Sequence, residues 1–198
     1  MKLAPEDLEA RLFAVLDVLE ELRVPAFLTG ALVRNVYGEM RTTRDFDVVL
    51  DARTLPWERV HEAFTARGFV VEGPLHGNLG KRLVVDSSGT PVDLWLAPDT
   101  DLHRREFERV KRIPYGDRML AVMHPEDYVL RKLVNFRRIR GKQTDIDDAY
   151  QVLLHAWEEI DPERLVARAT GHRVEGAARE LVDLVREDRE KLERGEQV

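Results

Sequence analysis

Thr29-Gly30-Ala31, thirteen further residues, and then Asp45-Phe46-Asp47-Val48-Val49-Leu50-Asp51 is the stretch that decides how this chain is read. Ala26 to Leu28 predicts a short buried strand. Gly30 turns it directly into a helix through about Tyr37, which Gly38 closes. Phe46 to Leu50 predicts a second strand. Residues two apart on a strand share a face, so Asp45 and Asp47 project together while Phe46, Val48 and Leu50 face a core. Two adjacent carboxylates repel unless a cation lies between them, and a divalent metal answers that need. The strand end at Thr29-Gly30 aims free backbone N–H groups outward from the helix start, a setting suited to phosphate. Plainer readings stand beside these. Gly30 makes a tight turn and nothing more, or the carboxylate pair lines a solvated face with Arg41 and Arg44 as partners.

A third carboxylate lies in Thr90 to Ala97. Val92, Leu94 and Leu96 share one face, which puts Asp93 on the other, and an acid in so apolar a strand is costly unless satisfied. Asp86 is the rival, but its Asp-Ser-Ser-Gly setting reads as a turn. Three carboxylates on neighbouring strands would form an oxygen cage suited to Mg2+. Two such ions can activate an attacking oxygen and neutralise a leaving pyrophosphate.

Gly30-Ala31 followed after thirteen residues by Asp45-Phe46-Asp47-Val48 resembles the nucleotidyltransferase motif of the DNA polymerase β-like superfamily. Within it, Arg41 to Asp47 is similar to the minimal nucleotidyltransferases and to abortive-infection nucleotidyltransferase toxins. Pro125 to Leu133, with Lys142 and Asp145-Ile146-Asp147, resembles the helical part of that toxin-like group. The resemblance spans about residues 26–153. It implies that Asp45 and Asp47 bind two Mg2+ ions, and that Asp93 completes the site and acts as, or orients, the general base. It further implies that Thr29, Gly30 and Ala31 hold the phosphates of an NTP. Ala31 departs from the serine or glycine usual there and offers only its backbone N–H. The implied reaction moves a nucleoside monophosphate to RNA, a protein or a small molecule. The alternative is a catalytically silent nucleotide-binding or toxin–antitoxin interaction protein.

Arg34, Arg41 and Arg44 are the nearest cations for a triphosphate; equally, they could pair with Asp45, Asp51 or Glu39. Lys132 lies mid-helix where toxin-like relatives place a nucleotide-directed lysine, and a solvated lysine fits the same position. Arg131, Lys132, Arg137, Arg138, Arg140 and Lys142 form a dense basic run that could receive RNA or be a solvated helix end favoured by the macrodipole. His124, before Pro125, reads as a helix cap. Of Trp57, Trp95 and Trp157, Trp95 alone lies near the proposed acids.

Around this centre the chain reads as α+β: a mixed twisted sheet of the nucleotidyltransferase type flanked by helices (1–123), followed by a helical bundle packed on it (124–198). Leu8, Leu12, Leu16, Leu19 and Leu22 give the first helix. Pro56 to Ala66 gives another before a strand at Phe69 to Val71. Residues 73–80 form a glycine-rich loop. Arg82 to Val85 and Val92 to Leu96 form an antiparallel pair. Phe107 to Ile113 and Arg118 to Met123 read as a hairpin, with a helix as the alternative for the former. Beyond His124 all is helix, with Thr144 and Asp147 as a capping box and Asp161-Pro162-Glu163 as another start. The chain has 198 residues, 43% hydrophobic and 34% charged, with net charge −6 and no cysteine. The charge argues against a surface that coats nucleic acid broadly. The lack of cysteine excludes disulfides and thiolate chemistry. Neither a bilayer-crossing run nor a secretion leader is expected, which predicts a cytoplasmic protein.

Overall fold

The computed structural model describes residues 5–39, 46–51, 53, 57–72, 82–86, 92–138 and 141–197. The chain forms two compact units, Met1–Leu32 with Thr42–Met123, and Val33–Arg41 with His124–Val198.

The first unit contains α1 (Pro5–Glu21), β1 (Ala26–Thr29), the opening of α2 (Gly30–Tyr37), β2 (Phe46–Asp51), α3 (Trp57–Ala66), β3 (Val70–Glu72), β4 (Arg82–Asp86), β5 (Val92–Ala97), α4 (Asp101–Glu108), β6 (Lys111–Tyr115) and β7 (Arg118–Val122). Among the described residues, seven strands form one mixed sheet in the order β3-β4-β5-β2-β1-β7-β6. β2 pairs parallel with β5, and β1 pairs parallel with β7. The remaining neighbours are antiparallel. Central β2 is apolar on both faces because both are covered. Phe46, Val48 and Leu50 are buried on one side and Val49 on the other. Leu12, Val15 and Leu19 of α1 are buried at helical spacing. The helix stops before Arg23, whose φ of 56° is left-handed, and Pro25 bars its continuation.

The second unit is helical. It contains the remainder of α2, α5 (Pro125–Arg138), α6 (Gln143–His155), a 3-10 turn at Trp157–Glu159, α7 (Pro162–Gly171) and α8 (Glu175–Glu193). Tyr128, Leu133, Val152, Leu153, Leu165 and Val185 are among its buried core. Glu126 and Asp127, in the first turn of α5, are fully buried and are clasped by α7. Arg168 donates to Glu126 Oε1 (2.7 Å) and to Asp127, and Arg164 donates to Glu126 Oε2 (2.9 Å). An α+β chain with a C-terminal helical bundle is therefore what the sequence specifies. Among the described residues no helix is long and apolar enough to cross a membrane.

Three local expectations change. Phe107 and Glu108 end α4 and do not open a hairpin. Thr100 caps that helix and Asp101 supplies the acidic first turn, while the hairpin begins at Lys111. The Thr144–Asp147 box is absent. Lys142 holds the N-cap position without a side-chain bond, and Asp147 accepts from the Gln143 amide instead (2.9 Å). Asp86 is the last residue of β4, opposite Val70, so it belongs to a strand and not a turn. The Gly73 to Gly80 loop lies outside the described residues. His124 does cap: its Nδ1 accepts the Glu126 backbone N–H at 3.3 Å.

Candidate active site

β1, β2 and β5 carry Thr29, Asp47 and Asp93 to one level of the sheet. Thr29 is opposite Asp47 across the antiparallel pair, and Asp47 is opposite Asp93 across the parallel pair. Register partners on adjacent strands point to the same face and lie about 5 Å apart. The two carboxylates therefore stand side by side, as the strand alternation predicted for each separately. Asp93 is 2% exposed. A buried carboxylate beside a second one is unfavourable in water-poor surroundings without compensating charge or hydrogen bonds.

Gly30 sits beneath Asp47. It has φ of +66°, and a Cβ there would fall 1.9 Å from Asp47 Oδ2. Glycine is needed twice, for a backbone conformation that other residues rarely adopt and for room. Gly30 opens α2, whose first turn holds no acidic residue, so the partial positive charge of the helix start is not cancelled from within. The Thr29 hydroxyl donates to Met123 Sδ at 3.5 Å and is largely buried. That turns the side chain inward and leaves the backbone as the outward feature of this strand end.

Trp95 was not anticipated as a partner. It follows Asp93 by two residues and so shares its face of β5. Its indole N–H donates to Asp47 Oδ1 at 2.8 Å. The sequence signal was available in that spacing, but a tryptophan near an acid is read first as core or as a base-stacking platform.

Oxygen donors of this kind suit Mg2+, and the adjacent carboxylates on β2 and β5 are the observation that fits it. Among the described residues no group of three or more His, Asp or Glu forms a metal cage. Asp45, the third member of the expected set, lies outside the described residues, as do Arg41 and Arg44.

The other expected nucleotide ligands are engaged within the second unit. Lys132 Nζ bridges Asp145 Oδ1 (3.0 Å) and Asp148 Oδ2 (2.8 Å) and lies over the Tyr128 ring. Arg34 Nε meets Asp148 Oδ1 at 3.1 Å, and its guanidinium also donates to the Glu39 carbonyl. Neither cation is solvated: Lys132 is 17% and Arg34 13% exposed at the side chain. Asp145 and Asp148, three apart on α6, form an acid pair that sequence reasoning passed over for Asp147. Asp51, another offered partner, is taken by Arg53, which grips it through Nε (2.8 Å) and Nη2 (2.6 Å). That hydrogen bond holds the Asp51 carboxyl below the ordinary carboxylate range against the opposing effect of burial. In the basic run, Arg137 donates to the His172 carbonyl at 3.0 Å, so one of its charges serves a helix end.

No family model matches the chain, and no curated protein matches it. Solved structures do. The antibiotic-resistance factor ANT(2″)-Ia is 11% identical with a TM-score of 0.60, over 85% of this chain and 92% of that one. A nucleotidyltransferase-like antigen from Paracoccidioides brasiliensis is 15% identical, TM-score 0.52, over 76% and 77%. The lincosamide antibiotic adenylyltransferase LnuA, solved with lincomycin bound, is 18% identical, TM-score 0.51, over 73% and 95%. With the Asp47–Asp93 register and the Gly30 turn already in view, these likenesses settle the architecture: the chain has the nucleotidyltransferase fold.

Proposed function

We propose that the protein is a metal-dependent nucleotidyltransferase that moves a nucleoside monophosphate from an NTP to an acceptor and releases pyrophosphate. One observation carries this: Asp47 and Asp93 are paired in register on adjacent parallel strands, with Gly30 turning a helix start against Asp47. Asp45, Asp47 and Asp93 would hold Mg2+, in two ions as the sequence resemblance implies. The metal would supply charge neutralisation for the phosphates and the departing pyrophosphate.

The chain's own part is positioning. The α2 start presents backbone N–H groups, Ala31 included, to phosphate oxygens. Asp93, screened from solvent, receives or orients the acceptor's proton as the acceptor oxygen bonds to the α-phosphorus. The bond from that phosphorus to the bridging oxygen then breaks, and the electron pair leaves with pyrophosphate. Catalysis of this type rests on alignment and electrostatics. Both substrates of such a reaction suit a cytoplasmic setting.

The acceptor is assigned by trial. Purified protein is incubated with each α-labelled NTP, Mg2+ and either cellular RNA, protein lysate or a panel of hydroxyl-bearing antibiotics. Antibiotics lead the panel because two of the similar structures are antibiotic-modifying or resistance proteins by their descriptions. Label on any acceptor, lost in Asp93→Asn with folding unchanged, supports the reading. Labelling by Asp93→Asn and Asp47→Asn at the wild-type rate overturns it. NTP binding without label on any acceptor selects the silent nucleotide-binding or toxin–antitoxin alternative.

A further inference from the structure

Asp47 is located from two directions by groups remote from it in sequence. On one side, the Trp95 indole N–H donates to Oδ1 at 2.8 Å. On the other, Oδ2 occupies space that exists only because Gly30 has no Cβ. A carboxylate on a strand ordinarily swings about its terminal torsion, which is broad and roughly two-fold. Here one oxygen is tied to a donor and the second is set against backbone, so one orientation is selected. The donor is also uncharged. It contributes a hydrogen bond without contributing a positive charge of its own.

We propose that Trp95 is a positioning residue for the cation-binding carboxylate Asp47, fixing which oxygen is presented to the divalent ion. The inference rests on the acidic pair being a cation site. Trp95 acts through Asp47, and its contribution is to divalent-ion affinity.

The test reads the ion directly. In 15N-labelled wild-type protein the three tryptophan indole N–H resonances are assigned by elimination with Trp57→Phe and Trp157→Phe. Titration with Mg2+ is expected to move the Trp95 resonance and leave the other two in place. Trp95→Phe, which keeps a ring but loses the donor, is expected to bind Mg2+ about fivefold more weakly, the weight of one hydrogen bond. Trp95→His, which can restore an N–H, should recover part of that affinity. A transferase assay should show the Trp95→Phe deficit vanishing at saturating Mg2+, a recovery that a general structural defect would not give.

A Trp95 resonance indifferent to Mg2+, or wild-type Mg2+ affinity in Trp95→Phe while Asp47→Asn loses it, overturns the role of Trp95 and leaves the acidic site standing. Unchanged Mg2+ affinity in Asp47→Asn and Asp93→Asn instead removes the acidic site, and this inference with it.

Discussion

The two units each hold a pair of neighbouring aspartates that are buried or half-buried, and they treat the pair differently. In the helical unit, Asp145 and Asp148 are bridged by Lys132, and Asp148 also takes Arg34. In the sheet unit, Asp47 and Asp93 are set side by side by strand register, and one donor to Asp47 is a neutral indole. The first arrangement neutralises acid charge in place and ties helices together. The second sets two acids in register and ties one of them to a neutral donor. The charge of the groups around an acid pair decides how readily it takes up an external cation.

The same substitution in the two places breaks the contrast most sharply. Asp47→Asn is expected to lower nucleotidyl transfer on the order of a thousandfold. It should leave the thermal midpoint at or above wild type, because one of two like charges is removed. Asp148→Asn, by contrast, takes a charged partner from both Lys132 and Arg34, leaving them Asp145 and the Glu39 carbonyl, and is expected to cost about 3 kcal/mol in denaturant unfolding. Equal stability effects from the two would erase the distinction.

Lys132→Met sharpens it from the other side. It leaves Asp145 and Asp148 on one helix face without their shared cation, and a loss of about 3 kcal/mol is expected. A Lys132→Met protein of wild-type stability that no longer binds NTP would move Lys132 from structural to nucleotide-directed. Gly30→Ala tests how the sheet-unit pair is built. The added methyl must adopt a left-handed φ and displace Asp47 Oδ2, so a loss of about 1–2 kcal/mol is expected, with weakened Mg2+ binding read by titration.

The smallest effect concerns pH. Asp51 lies at the far end of the strand from Asp47 but pairs with a cation, Arg53, and its folded pKa is lowered. A lowered folded pKa gives stability that is fully present above the unfolded carboxylate pKa and is lost as pH falls through the folded value. Urea midpoints followed from neutral to acid should therefore fall less steeply in Asp51→Asn than in wild type. A parallel decline would show that the Asp51–Arg53 pair contributes nothing on unfolding.

Much of this fold was legible because its signals are local. Alternation over Phe46–Asp51 predicted a strand with Asp47 on one face, and Gly30 and Gly38 bounded α2 as observed. Asp161-Pro162-Glu163 predicted α7, where Asp161 caps the Arg164 N–H. Misreadings arose where two local patterns competed. Phe107 sits in a charged stretch with Val110 and Ile113 as its apolar positions, a pattern that suits either a strand or the last turn of a helix, and the Thr100 cap decided for helix. Asp147 fits a capping box by spacing, yet the neighbouring Gln143 claims it. At the site, Asp47 and Asp93 were each legible as an acid on one face of an otherwise apolar strand. Arg34 and Lys132 were legible as cations near the right motifs, but their partners on α6 were not, because ion pairing depends on which helix faces meet.

The sequence by itself determined the elements and the facing of each side chain within them. Those follow from backbone periods of two and 3.6 that every residue feels locally. Only the tertiary structure decided that Asp93 stands opposite Asp47, that the Trp95 indole, 48 residues from Asp47, reaches its carboxylate, and that Gly30 makes room for it. Strand register and the meeting of distant side chains are set by how the whole sheet packs, and no local stretch of chain holds that information.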